Sequence, residues 1–434
     1  MPSPAAPPDR DAEVCVVGGG PAGAAAAITL ARAGAAVTLV DKARFPRDKT
    51  CGDGLTAGAL RLLEGLGLAP GAVASWQVVD DVVVRSPSGR EATFPMPRGR
   101  GTYAAVARRA DLDAALLDVA RSAGAKVLDG HACTAVAEHD DRAEVEIEGL
   151  GTLATGWVVA ADGIWSPIRK QLGLGAAGYR GEWHAFRQYF TDVGPRAAEQ
   201  LFVWFEPDLL PGYAWSFPLP GRRANVGFGI QRGGKVGRIQ DMAAIWRELL
   251  DRPHVREALG DAATAEAPHR AWPIPARIDD IALAGRRTLF VGDAAAATDP
   301  MTGEGIGQAL LTGVLAGEAV LRHGRPEAGA GAGADDRAAV AAAVTGRYTH
   351  DVRRALVADH RMSKLLTRAL RHRKGARAAV RIAGASAWTR RNFARWLFED
   401  YPRAILVTPR RWHRHMLSGN GAFLGPEPTG HPLP

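Results

Sequence analysis

Glu13-Val14-Cys15-Val16-Val17-Gly18-Gly19-Gly20-Pro21-Ala22-Gly23 is the stretch that decides the fold. Its first half is short, apolar and β-branched, the pattern of a buried strand. Its second half is a Gly-x-Gly-x-x-Gly turn that opens an Ala-rich helical run over residues 21–33. Gly34 stops that run, and residues 36–40 read as the next strand, closing one βαβ unit. Glycines here permit a tight turn and a close backbone approach to a pyrophosphate, which the helix N-terminus attracts with its N–H groups and dipole. Asp41 closes the second strand, where a carboxylate accepts from ribose hydroxyls. The alternative for the glycine run alone is a turn without a ligand.

Two further motifs extend this dinucleotide-binding reading. One is Val159-Ala160-Ala161-Asp162-Gly163, followed by Ser166 and Arg169. The other is Leu289-Phe290-Val291-Gly292-Asp293, then Asp299-Pro300 and Gly303-Glu304-Gly305-Ile306-Gly307. In the latter a strand delivers a carboxylate beside a helix start. Its glycines leave N–H groups exposed, suited to the electron-rich edge of a reduced flavin.

At 434 residues, two closely joined domains are expected. The composition, 47% hydrophobic and 23% charged, is that of a globular protein. Three cysteines (Cys15, Cys51 and Cys133) lack disulfide or zinc spacing, and the histidines fit no metal pattern. No metal is expected. The N-terminus has no signal-peptide character and no run is long enough to span a membrane, so a cytoplasmic location is expected. The charge is uneven. Residues 347–415 carry 18 Lys and Arg against 4 Asp and Glu, a surplus of +14, which leaves the remainder acidic at −6.

Expected organisation is a disordered tail at 1–12 and a discontinuous FAD-binding domain at 13–180 and 276–324. An antiparallel substrate-binding domain at 181–275 and a basic helical region at 337–420 complete it. The fold class is α/β, Rossmann-like, with an antiparallel second sheet. Residues 325–336 read as a low-complexity linker.

The three cofactor motifs in this order resemble the flavoprotein superfamily with the p-hydroxybenzoate hydroxylase fold. Two narrower stretches resemble its geranylgeranyl reductase family. Phe45-Pro46-Arg47-Asp48-Lys49-Thr50-Cys51-Gly52-Asp53-Gly54 is similar to that family's F-P-R-x-K-x-C-G-x-G segment, with Asp53 where many relatives have Gly. Tyr213-Ala214-Trp215-Ser216-Phe217-Pro218, with Gly227 and Gly229 downstream, resembles its substrate motif. The resemblance implies FAD as cofactor, with Gly18, Gly20 and Gly23 at the pyrophosphate and Asp41 at the adenosine ribose. It places Arg109, in Arg-x-x-Leu-Asp, near the phosphates, and Asp293 at the ribityl chain or pyrophosphate. Gly305 and Ile306 would offer backbone to the isoalloxazine ring, and Arg44 and Cys51 would lie close to the flavin. Ala22, Lys42, Asp162, Pro300 and Gly303 complete the expected cofactor set.

Tyr213, Trp215 and Phe217 alternate along a strand and so share a face. With Gly227 they are the expected substrate wall, suited to an apolar isoprenoid; ordinary sheet core is the alternative. Cys51 and Tyr213 are the candidate catalytic groups, either of which could supply a proton, with water as a further source. The expected function is hydride transfer from reduced FAD to a carbon–carbon double bond, with NAD(P)H or another donor as reductant. A monooxygenase acting on an aromatic or polyketide-like substrate shares the scaffold. A non-catalytic flavin-binding or membrane-associated protein is the third reading. A diphosphate or a quinone are the expected substrate classes. The basic C-terminal region reads as a peripheral membrane contact, a solvated face or a dock for the acidic body, with no nucleic-acid module present.

Overall fold

The computed structural model describes residues 12–233, 241–324, 334–405, 408–409 and 419–424. The expected tail at 1–12 and linker at 325–336 thus fall almost wholly outside the described residues.

Ala12–Val17 pairs in parallel with Val37–Asp41 on one side and Gly151–Ala160 on the other. The sheet continues through Lys126–Asp129 at one edge, Ala143–Ile147 and Cys133–Glu138 at the other, and Thr288–Phe290 beside Gly151–Ala160. The Pro21–Arg32 helix covers it and packs against the Ile306–His323 helix. Small residues make that contact possible: a Cβ on Gly313 would lie 2.1 Å from the Ala22 carbonyl oxygen. Apolar side chains of this sheet and its helices form the larger core.

The second sheet is mostly antiparallel, built around Trp183–Thr191, Arg223–Gln231, Tyr213–Leu219 and Leu201–Trp204. It also takes the hairpin Asp81–Arg85 and Glu91–Pro95, a correction to the expected boundary at 13–180. Alternating strand character on either side of the Ser86-Pro87-Ser88-Gly89 turn predicts such a hairpin, but it does not say which sheet the hairpin joins. Here Asp81–Arg85 pairs in parallel with Leu201–Trp204.

The C-terminal region is helical, with helices Ala334–Val352, Ala358–Leu370, Arg373–Ala383 and Ala387–Leu397. No helix among the described residues is long and apolar enough to cross a membrane.

Candidate active site

The two sheets and the last helices surround a cavity of ≈ 1110 Å³. At one end lies the glycine loop. Gly18 has φ 111°, and a Cβ on Gly23 would lie 1.8 Å from the Gly18 carbonyl oxygen. Only glycine lets strand, loop and helix close up this way. No side chain caps the Pro21–Arg32 helix, so N–H groups of its first turn remain available. A Cβ on Gly20 would lie 3.6 Å from Arg109 Nη2 and 3.7 Å from Arg47 Nη2. Arg109 is held by Asp113 through two bonds of 2.7 and 2.8 Å, and Arg47 donates to the same carboxylate at 3.1 Å. Two guanidiniums beside an uncapped helix start form an anion site that a pyrophosphate fits. Asp41 accepts from Gly19 N–H at 2.7 Å and Ala43 N–H at 2.8 Å. Each carboxylate oxygen keeps a lone pair for a hydroxyl.

Ala22, Lys42, Asp162 and Asp293 line the cavity onward from the loop, and Pro300, Gly303, Gly305 and Ile306 line it at the start of the Ile306–His323 helix. At that helix start Glu304 takes the Gly307 N–H at 2.7 Å, and Gly305 offers no side-chain cap of its own. Asp162 Oδ1 is buried without a hydrogen-bond partner, as expected of a group that a ligand completes. A cradle that any Cβ would fill, an anion site and an unsatisfied acceptor together fit FAD.

Two expected positions are corrected. Arg44 does not line the cavity; it is exposed, and its side chain folds over Gly130 instead, 3.1 Å from where a Cβ there would lie. Gly227 does not line it either. A Cβ there would lie 2.4 Å from Trp215 Cζ2, so Gly227 is the floor that lets Trp215 lie flat. Gly23 likewise shapes the loop from behind.

The aromatic wall is continuous. Ring centroids lie 6.0 Å apart for Tyr213–Trp215 and 6.1 Å for Trp215–Phe217. Phe217 packs on the Cys51 segment, where a Cβ on Gly54 would lie 3.0 Å from its ring and one on Gly52 3.4 Å. The two narrow motifs are therefore halves of one wall. Asp53 bends the segment with φ 65° and is fully buried. It accepts from Tyr189 Oη at 2.6 Å and Asn225 Nδ2 at 2.8 Å. Asn225 also donates to the Cys51 carbonyl at 2.8 Å and accepts from Trp215 Nε1 at 3.2 Å. Burial pushes Asp53 up to about 6, against the pull of those hydrogen bonds. Sequence reading missed Tyr189 and Asn225; the carboxylate at an otherwise glycine position was the signal for them.

Neither candidate proton source is an easy acid. Burial raises the Cys51 thiol, and Asp53 N–H donates to its Sγ at 3.3 Å. Burial also raises the Tyr213 phenol, which donates to the Thr302 carbonyl.

The C-terminal helices supply a wall that the sequence did not reveal. Leu366, Leu370, Val380, Ile382, Trp388, Phe393, Trp396 and Leu397 all line the cavity. They are anchored by Arg403, which bonds Glu399 at 3.0 Å and Thr302 Oγ1 at 3.1 Å and lies 3.4 Å from Asp299. Glu304, also on the cavity wall and half-buried, lies near this cluster of Asp299, Glu399 and Arg403. Burial, then repulsion from Glu399, raises Glu304.

Comparison with known proteins agrees with this geometry. A profile described as an FAD binding domain matches residues 11–345. The menaquinone reductase of Mycolicibacterium smegmatis is 34% identical over 341 residues, covering 72% of this chain and 77% of that protein. Digeranylgeranylglycerophospholipid reductase 2 of Methanopyrus kandleri is 34% identical over 313 residues, covering 70% and 76%. The chain belongs to the geranylgeranyl reductase family of FAD-dependent oxidoreductases. A geranylgeranyl bacteriochlorophyll reductase-like protein from Thermoplasma acidophilum shares the fold, with a TM-score of 0.74, 19% identity, and coverage of 92% of this chain and 99% of that one. A variant of the halogenase PltM in complex with FAD shares it more loosely, with a TM-score of 0.65, 16% identity, and coverage of 86% and 79%. Family membership rests on the curated relatives; the solved structures bear on the fold.

Proposed function

We propose that this family member is a reductase that saturates a carbon–carbon double bond in the chain of a membrane isoprenoid, and that an isoprenoid quinone is the class its cavity fits best. Bound FAD, once reduced, supplies the hydride. The protein's own groups do the rest. Gly18, Gly20, Arg109 and Asp41 hold the dinucleotide end, and Asp162, Asp293, Gly305 and Ile306 hold the flavin end. Tyr213, Trp215 and Phe217 exclude water and flatten the chain against the reacting face.

One observation carries the choice of substrate. Among the described residues, the cavity wall built by the C-terminal helices is mostly aliphatic and aromatic, with Thr389 and Asn392 as neutral polar members and no Lys or Arg. Among the described residues the lining cations are Lys42, Arg47 and Arg109, around the dinucleotide end, and Lys49, which lies over Trp272. A long apolar tail suits that arm, whereas a free diphosphate finds no counter-charge there. The relatives' names, menaquinone reductase and digeranylgeranylglycerophospholipid reductase, support the same class.

The route in is the outer face of the same helices. Ile382 and Trp388 line the cavity yet are 69% and 64% exposed, and Leu365 is 57% exposed. Beside them Arg373, Lys374, Arg377 and Arg381 stand exposed along the Arg373–Ala383 helix, with no ion pair among the described residues. Large apolar side chains rimmed by cations suit an anionic bilayer, each cation near the surface being worth about 1 kcal/mol. Two binding experiments test this reading. Menaquinone should displace a lipid probe from the FAD-loaded protein while geranylgeranyl diphosphate does not; the reverse order would reject the quinone. Changing Arg373, Lys374 and Arg377 together to Ala should weaken binding to phosphatidylglycerol vesicles by roughly a hundredfold. Unchanged vesicle binding would reject the membrane face.

A further inference from the structure

Lys49 is placed to do more than line the cavity. It lies in the same bent segment as Cys51 and lines the cavity. Its Nζ sits 3.9 Å from the ring centroid of Trp272, another lining residue. Among the described residues that contact is the amine's specific interaction, with no hydrogen bond or ion pair to it. The neighbouring carboxylate, Asp48, is already engaged, with Arg187 at 2.5 Å and Arg270 at 3.4 Å. An ammonium kept off every carboxylate and turned to an aromatic cavity wall is an expensive arrangement unless the charge is used.

Its surroundings set its acidity. Burial lowers Lys49 to about 8; Asp293 and the Cys51 group oppose that shift, and Arg109 and Arg47 reinforce it. At neutral pH the side chain is therefore still mostly ammonium while releasing a proton far more readily than a solvated lysine. An acid poised near the working pH transfers protons best. The competing groups are less suited. Cys51 and Tyr213 are raised by burial, and the Tyr213 proton is committed to Thr302. Asp53 is tied to Tyr189 and Asn225. Glu304 accepts from Gly307 N–H at 2.7 Å and shares the carboxylate cluster of Glu399, Asp299 and Arg403.

We propose that Lys49 is the acid of the reaction, delivering a proton to one carbon of the double bond while the other receives the hydride. The assignment rests on the reductase reading above. The Lys49 N–H bond breaks and a C–H bond forms. The two electrons and the second hydrogen arrive as hydride from reduced FAD. The second proton of the reduced cofactor leaves to solvent, and the neutral amine takes one back, so the sum is alkene plus reduced FAD giving alkane plus FAD. As the positive charge moves from nitrogen toward the more substituted carbon, it stays beside the π face that already holds the ammonium. Lys49 thus explains why the cavity-lining Trp272 faces a cation.

The test uses FAD-loaded protein, wild type and Lys49→Arg. Arginine keeps the charge and the stacking but does not release a proton in this pH range. Each is reduced with dithionite without oxygen and mixed with menaquinone over a series of pH values. Wild-type flavin reoxidation should slow above pH about 8. Lys49→Arg should be slower by on the order of a hundredfold at neutral pH, with dithionite reduction, flavin spectrum and half-saturating menaquinone little changed. A variant within about threefold of wild type would overturn the assignment. Independently of turnover, ¹³C-methylation of the lysines should give one NMR signal, absent from Lys49→Arg, that titrates near 8. Titration in the ordinary lysine range would overturn it as well. Wild-type protein that no isoprenoid quinone reoxidises would bring down the reductase reading and this assignment together; failure of Lys49 alone leaves wild-type turnover intact.

Discussion

Arg403→Met removes the buried guanidinium that pairs with Asp299 and Glu399, close to Glu304. The Arg403 side chain is 2% exposed and touches Asp299 and Glu399 at 3.4 and 3.0 Å. Methionine fills much of the space but leaves Asp299 and Glu399 without their guanidinium partner. Breaking a buried ion pair from one side costs about 3–5 kcal/mol, mostly from the charge left behind. Unfolding entropy of about 2.1 cal/mol/K per residue gives on the order of 0.9 kcal/mol/K for 434 residues. The expected fall in Tm is then about 3–6 °C. Its pH dependence is the sharper signature. Burial raises both Glu304 and Glu399, so each favours folding while protonated and loses that contribution as pH rises out of the ordinary carboxylate range. Removing Arg403 raises them further, so the loss should be larger at pH 8 than at pH 5.5. The assay is thermal unfolding of the flavin-loaded protein at both values. An unchanged Tm at pH 8, or an equal loss at both, would refute the charge argument.

Three other substitutions follow from the same geometry. Gly23→Ala would put a methyl 1.8 Å from the Gly18 carbonyl oxygen, so the protein should purify colourless; a normal flavin complement would count against the loop's role. Gly227→Ala would drive a Cβ to 2.4 Å from both Trp215 Cζ2 and the Phe186 carbonyl oxygen. It should cost about 1–3 kcal/mol in overpacking and raise the KM for an isoprenoid substrate, with retained KM and Tm as the contrary result. Glu304→Gln removes an acid whose folded-state pKa is raised. The variant should gain stability relative to wild type as pH climbs from 5 to 8, and a difference that does not change with pH would contradict the buried-proton argument.

Much of this architecture is legible along the chain because the chemistry is local. Gly18, Gly20, Gly23 and Asp41 serve one βαβ unit, and the strand-helix-strand pattern alone locates the dinucleotide end. Tyr213, Trp215 and Phe217 sit two residues apart, so a strand's alternation puts them on one face. What escaped depends on contacts between distant segments. Nothing near Glu91 announces that its hairpin joins the substrate sheet, because the partner strand starts at Leu201. The basic residues across 347–415 pointed to the surface of the C-terminal helices. Their buried faces, with Val380, Phe393 and Leu397 against the cavity, depend on the Arg403 clasp to Asp299 and Glu399. Cys51 stood out for its chemistry, while Lys49, two residues earlier, gained meaning only when the structure set it over Trp272.

The central claim is that the reduced flavin of this protein gives its hydride to carbon. The most direct measurement is a single turnover without oxygen. Dithionite-reduced protein is mixed with menaquinone, the flavin absorbance is followed, and the extracted lipid is weighed by mass spectrometry. Return of the oxidised-flavin band together with a side chain heavier by two hydrogens is the predicted result. Flavin that stays reduced until air is admitted, and then yields a product heavier by one oxygen, would contradict it and make the protein a monooxygenase.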